Sequence, residues 1–228
     1  MVAWVVVDQV GCVGSHIFCS DAPGDYACML SVTSDTGPCD YALVAAVGAT
    51  DVGIIGGGIV NGGANDPPGH LVAYYNASIN LLVPSMFNFT GCSGFLCRPK
   101  LVVFRQCADV VVDGAALVNS PLWTLTFSEC DGVVVHNATI SGSRQWPNND
   151  GIDVISSSNV EISECTISTG DDCIALITHT PLPVANVSIH HCNLASTSAA
   201  VKVRACGPCR GAAHTAWPVG RRGAGERI

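Results

Sequence analysis

The 228-residue sequence is long enough for one domain with a real core; it is 48% hydrophobic, only 6% aromatic and 12% charged, with a net charge of −8 and a pI of about 5.1. That charge excludes nucleic acid as a natural partner, and an acidic polymer would have to be held by local Lys or Arg. Mean hydropathy is +0.39, yet no apolar run reaches the ~18 residues of a spanning helix, which excludes a membrane partner.

Met1–Val7 is apolar, but no basic segment accompanies it and Asp8 interrupts it, so it does not read as a signal peptide. Residues 1–50 place Cys12, Cys19, Cys28 and Cys39 among Gly, Asp and Pro and read as a Cys-rich cap or loop region. The chain has thirteen cysteines without paired zinc-type knuckles, which predicts disulfides in an oxidising compartment. Sequons beginning at Asn76, Asn88, Asn137 and Asn186 agree with a glycosylated, secreted or cell-wall protein.

From residue 51 a repeat takes over. Asp51-Val52-Gly53-Ile54, Asp109-Val110-Val111-Val112, Gly132-Val133-Val134-Val135, Asn159-Val160-Glu161-Ile162 and Asn186-Val187-Ser188-Ile189 each set a turn residue before apolar residues at alternate positions. The later copies step by 23, 27 and 27 residues. Cys165 and Ile167 follow one copy, Cys192 and Leu194 the next. Such runs are too short for helices and alternate as strands do. An antiparallel sandwich would explain the alternation but not the period, which predicts a parallel β-helix, an all-β solenoid, over 51–204. Residues 205–228, rich in Gly, Ala and Arg without alternation, read as a disordered tail, so the helix is expected to be incomplete at its C-terminal end.

The chemistry-bearing residues lie late in the repeat. Setting Ile152 against Ile174 and Val154 against Leu176 brings Asp150 one coil below Asp172, with Asp171 one residue earlier. Three carboxylates then converge within one or two strand spacings. Crowded like charges raise at least one pKa, giving a protonated acid beside an ionised base, the pair that glycoside hydrolysis requires. Turn capping and calcium binding use the same residue type, and spacing alone leaves all three open. Asp51 and Asp153 read as turn residues, His190 and His191 as surface residues. Lys202 falls in the column of Asp153 and Ala175, beside the cleft.

Asn148-Asn149-Asp150-Gly151-Ile152-Asp153 and Gly170-Asp171-Asp172-Cys173-Ile174-Ala175 resemble two segments of glycoside hydrolase family 28, the polygalacturonases. Asn119-Ser120-Pro121-x-Trp123 and the Gly56–Gly63 coil are similar to two more, and the resemblance spans about 50–204. It implies a right-handed parallel β-helix that hydrolyses α-1,4-galacturonan or a related pectic polysaccharide with inversion. Asp171 would be the general acid, and Asp150 and Asp172 would activate water; Asn148 and Trp123, in the matched segments, are substrate-binding candidates, and Lys202, which has no counterpart in the family's motif, is a third by its place beside the cleft, or else covers apolar surface at a coil edge. No cofactor or metal is implied, and the chain is expected to act as a monomer. The family's Gly-His-Gly coil is replaced here by Ser196-Thr197-Ser198-Ala199-Ala200-Val201-Lys202-Val203, and its later Arg-Ile-Lys motif is missing. The alternative is therefore a catalytically incomplete β-helix that only binds polysaccharide or is inactive.

Overall fold

A computed structural model describes residues 3–6, 16–18, 29–30, 39–40, 42–64, 99–144 and 148–205, the first four stretches as backbone alone. Three six-stranded parallel sheets run the length of the stack. The first holds β1 (Ala3–Val6), β6 (Thr50–Ile55), β9 (Ala108–Asp113), β12 (Asp131–His136), β15 (Ser158–Ser163) and β18 (Ala185–His190). The second holds β2 (His16–Phe18), β7 (Ile59–Asn61), β10 (Ala116–Val118), β13 (Thr139–Ser141), β16 (Thr166–Thr169) and β19 (Asn193–Ser196). The third holds β5 (Ala42–Val47), β8 (Lys100–Arg105), β11 (Leu125–Ser128), β14 (Ile152–Ile155), β17 (Ile174–Thr178) and β20 (Val201–Ala205). A short antiparallel pair, β3 (Met29–Leu30) with β4 (Cys39–Asp40), stands apart. Each coil gives one strand to each sheet, which is the right-handed parallel β-helix that the repeat predicts.

The repeat's turn residue has a backbone cause. Asp51, Asp109, Gly132, Asn159 and Asn186 all have positive φ, between 51° and 72°, at the second residue of the first-sheet strands β6, β9, β12, β15 and β18. Asn, Asp and Gly tolerate this left-handed conformation best, so the same residue types return at every coil. The polar side chains also ladder: Asn186 Nδ2 donates to Asn159 Oδ1 at 2.6 Å, and Asn159 Nδ2 donates to Asp131 Oδ1 at 2.7 Å.

The following apolar residues stack inward. Val110, Val133 and Val160 form one column, Val112, Val135 and Ile162 another, and Ile152 and Ile174 a third, all buried. Phe104 and Phe127 stack across adjacent coils with ring centroids 5.6 Å apart. At ~25 cal/mol per Å² such columns supply the main favourable term of the fold. Cys107, Cys130, Cys165, Cys173 and Cys192 are buried free thiols, so the disulfide expectation is corrected at these five positions. Parallel stacking turns them inward, where they pack as small apolar residues. The other cysteines lie outside the residues whose side chains are described, as do the sequons at Asn76 and Asn88; Asn137 and Asn186 are exposed.

The boundary read at residue 50 is not a break in the stack. Ala42–Val47 pairs with β8, and Ala3–Val6 and His16–Phe18 extend the other two sheets. Residues 206–228, most of the expected tail, lie outside the described residues.

Coil length varies unevenly. Between third- and first-sheet strands the link is residues 48–49, 106–107, 129–130, 156–157 and 179–184 in successive coils; between first and second it is 56–58, 114–115, 137–138, 164–165 and 191–192. Between second and third it runs 62–99, 119–124, 142–151, 170–173 and 197–200. Asp150, Asp171 and Asp172 all belong to this last corner. Among the described residues no helix is long and apolar enough to cross a membrane.

Candidate active site

The observed register is Ile152 beside Ile174 and Val154 beside Leu176, and the Gly151 amide donates to the Asp172 carbonyl at 2.9 Å. Asp150 therefore lies one coil from Asp172, as the sequence alignment predicts. Gly151 makes this approach feasible: a Cβ there would clash with the Cys173 carbonyl oxygen and stand 2.6 Å from Ile167 Cγ2. One oxygen from each of Asp150, Asp171 and Asp172 lies within 4.8 Å of the others.

The three carboxyls have different surroundings. Asp171 is half-buried; its Oδ1 accepts from the Asp172 amide at 3.0 Å and its Oδ2 accepts from Asn148 Nδ2 at 3.3 Å. Asp172 is buried and held on both oxygens, Oδ1 accepting from Ser198 Oγ at 2.8 Å and Oδ2 from Lys202 Nζ at 2.7 Å. Asp150 is 5% exposed, and its Oδ1 accepts no hydrogen bond from the protein. Burial first, then the charges of Asp171 and Asp172, push the Asp150 carboxyl up to about 8. The site thus holds a proton and two acceptor-rich carboxylates in one place, which is the equipment of acid–base hydrolysis.

These groups line a cleft of about 90 Å³ on the outer face of the third sheet, with Trp123, Lys202 and Arg204 on its walls. Trp123 is largely buried and its ring carries the Lys100 ammonium 4.2 Å from the centroid. A larger hollow of about 440 Å³ follows the first sheet, but its carboxylates, such as Asp109 and Glu161, do not form a group of three.

Asp153 is not a turn residue. It sits within β14, in the column Thr126, Asp153, Ala175, Lys202, and is fully buried beneath the cleft. Burial, then the charge of Asp150, pushes its carboxyl well above the usual range, while Lys100 acts in the opposite sense. His190 and His191 lie at the surface as expected, His190 being 3.4 Å from Glu161. Two residues escaped the sequence reading. Asn149 is buried and joins coils, donating to the Ser143 carbonyl at 2.9 Å and accepting from the Gly170 amide at 2.7 Å. Ser198 is the other; the hydroxyl run around it was the available signal.

The sequence profile of the glycosyl hydrolases family 28 matches residues 31–196. The chain belongs to that family. Among curated members, a polygalacturonase of Juniperus ashei is 44% identical over 79 residues, which is 35% of this chain and 16% of that protein. An endo-polygalacturonase of Pectobacterium parmentieri is 30% identical over 155 residues, 67% of this chain and 36% of that protein. The chain thus spans only a minor part of the length of these family 28 relatives. The solved polygalacturonase of Erwinia carotovora superposes with a TM-score of 0.63 at 23% identity, over 88% of this chain and 54% of that one, and shares the β-helical fold.

Proposed function

We propose that this family 28 chain is a glycosidase of α-1,4-galacturonan or a related pectic polysaccharide, acting with inversion at the anomeric carbon. The observation that carries the reading is the convergence of Asp150, Asp171 and Asp172 in one cleft. Asp171, the most exposed of the three, gives its proton to the leaving oxygen. Asp150 and Asp172 hold and deprotonate the water that attacks the sugar. Asn148, Trp123 and Lys202 contact the substrate, the Lys202 ammonium supplying positive charge to a uronate in an otherwise acidic molecule. The chain works as a monomer outside the cell, a reading supported by its sequons. A reducing-end assay on polygalacturonate compares the wild type with Asp171→Asn, which should lose about 100-fold or more in rate. Equal rates would remove Asp171 from the role, and a retained product anomer by NMR would overturn inversion. The alternative, an inactive or merely polysaccharide-binding β-helix, is supported if the wild type releases no reducing ends.

A second assignment is favoured by the raised Asp150 carboxyl, which carries the proton below about pH 8. In it Asp150 protonates the leaving oxygen and the Asp171–Asp172 side activates water. The pH–rate profile separates the two. A donating Asp150 gives a rate that falls above about pH 8, whereas a water-activating Asp150 gives a rate that climbs towards that pH.

A further inference from the structure

The coil that follows Gly170–Asp172 is bound to it by side chains. Ser196 Oγ donates to the Asp171 carbonyl, and Thr197 Oγ1 donates to the Gly170 carbonyl. Ser198 Oγ and Lys202 Nζ take one oxygen each of Asp172. The strap is itself anchored: the Ser198 amide donates to Ser196 Oγ at 2.8 Å, and Arg144 Nη2 donates to the Ser196 carbonyl at 2.9 Å. Backbone bonds from Cys173 to the Ala199 carbonyl and from Ile174 to the Ala200 carbonyl fix the register beneath it. The Gly170 and Asp171 carbonyls and both carboxylate oxygens of Asp172 are thereby met from one segment, 196–202. The histidine expected in this coil is missing, and hydroxyls and an ammonium stand in the segment instead.

We propose that Ser196, Thr197, Ser198 and Lys202 form a positioning strap, in which Ser198 and Lys202 clamp the Asp172 carboxylate in a single orientation for the reaction. This rests on the hydrolase reading of the cleft and adds to it residues that act through Asp172. A carboxylate free to rotate would present either oxygen to the water; one pinned on both oxygens presents a fixed face, and fixed geometry is what lowers the barrier. Hydrogen bonds to charged groups are the strong ones, so each clamp counts.

Two measurements decide it. In the first, the Lys202 side chain is titrated by NMR in the wild type and in Asp172→Asn. Its ammonium is held above its ordinary value chiefly by the hydrogen bond to Asp172, with the charges of Asp171 and Asp150 adding to it. The midpoint should fall in the variant, and an unchanged midpoint overturns the clamp. In the second, polygalacturonate kinetics are run on Ser198→Ala and Ser198→Thr, with thermal melts confirming that both fold. Ser198→Ala should lose about 10-fold to 100-fold in kcat with little change in KM, and Ser198→Thr should recover most of it. A rise in KM with kcat intact would make Ser198 a substrate contact and overturn its positioning role. If the wild type releases no reducing ends, the hydrolase reading falls on its own, and the titration alone judges the clamp.

Discussion

Replacing Asp150 by Asn should stabilise the protein, by an amount that grows as pH rises from the ordinary carboxylate range to about 8. The Asp150 carboxyl is raised from 3.8 to about 8, so the native state binds its proton more tightly than the unfolded chain does. Stability attributable to this group is therefore present below the ordinary carboxylate pKa and is lost as pH rises towards about 8. At ~1.4 kcal/mol per unit, the interval sets a ceiling of roughly 6 kcal/mol above pH 8. Realising a third of that, about 2 kcal/mol, would raise the Tm of a chain this size by about 4–8 °C. Asn keeps the shape of the side chain and removes the charge. Thermal or urea unfolding at pH 4 and at pH 8.5 measures the effect. The gain should be near zero at pH 4 and large at pH 8.5. A gain that is equal at both pH values, or a loss at pH 8.5, would refute the placement of Asp150 as a buried carboxyl crowded by Asp171 and Asp172.

Other predictions follow from the stack. Phe127 is fully buried against Phe104, so Phe127→Ala should cost about 3–5 kcal/mol, measured by urea unfolding. Gly151→Ala should lower the Tm and rate together, because its methyl group meets the Cys173 carbonyl between Asp150 and the next coil. Burial pushes the Cys165 thiol up to about 11, so a thiol reagent at pH 8 should label Cys165 in the native protein at least about 100-fold more slowly than in urea, as mass mapping can show.

The third sheet was legible from Ile152 and Ile174 because strand side chains alternate with period two, and one slipped residue would turn both out of the core. The same logic placed Asp150 against Asp172 and Lys202 against Ala175. Ser198 stayed hidden for a physical reason: a serine among turn residues is the ordinary way to cap backbone, and nothing local tells that its oxygen meets a carboxylate 26 residues back. Asp153 was misread on the same ground, since burial of a carboxyl depends on residues of other coils, such as Thr126 and Ala175 on either side of it and Lys100 acting on its charge. The cysteines show the opposite error. Their number suggests bridges, yet their place in the alternation sends five of them inward as thiols.

The unequal corners have a consequence for how such a chain diverges. The first-to-second corner keeps two or three residues, and the third-to-first corner keeps two until residues 179–184 lengthen it. The third tolerates anything from residues 170–173 to residues 62–99 without disturbing the strands on either side. Length variation is thus greatest at the edge that carries the carboxylates. A change in length there reshapes the surroundings of Asp150, Asp171 and Asp172 while the strands on either side keep their register.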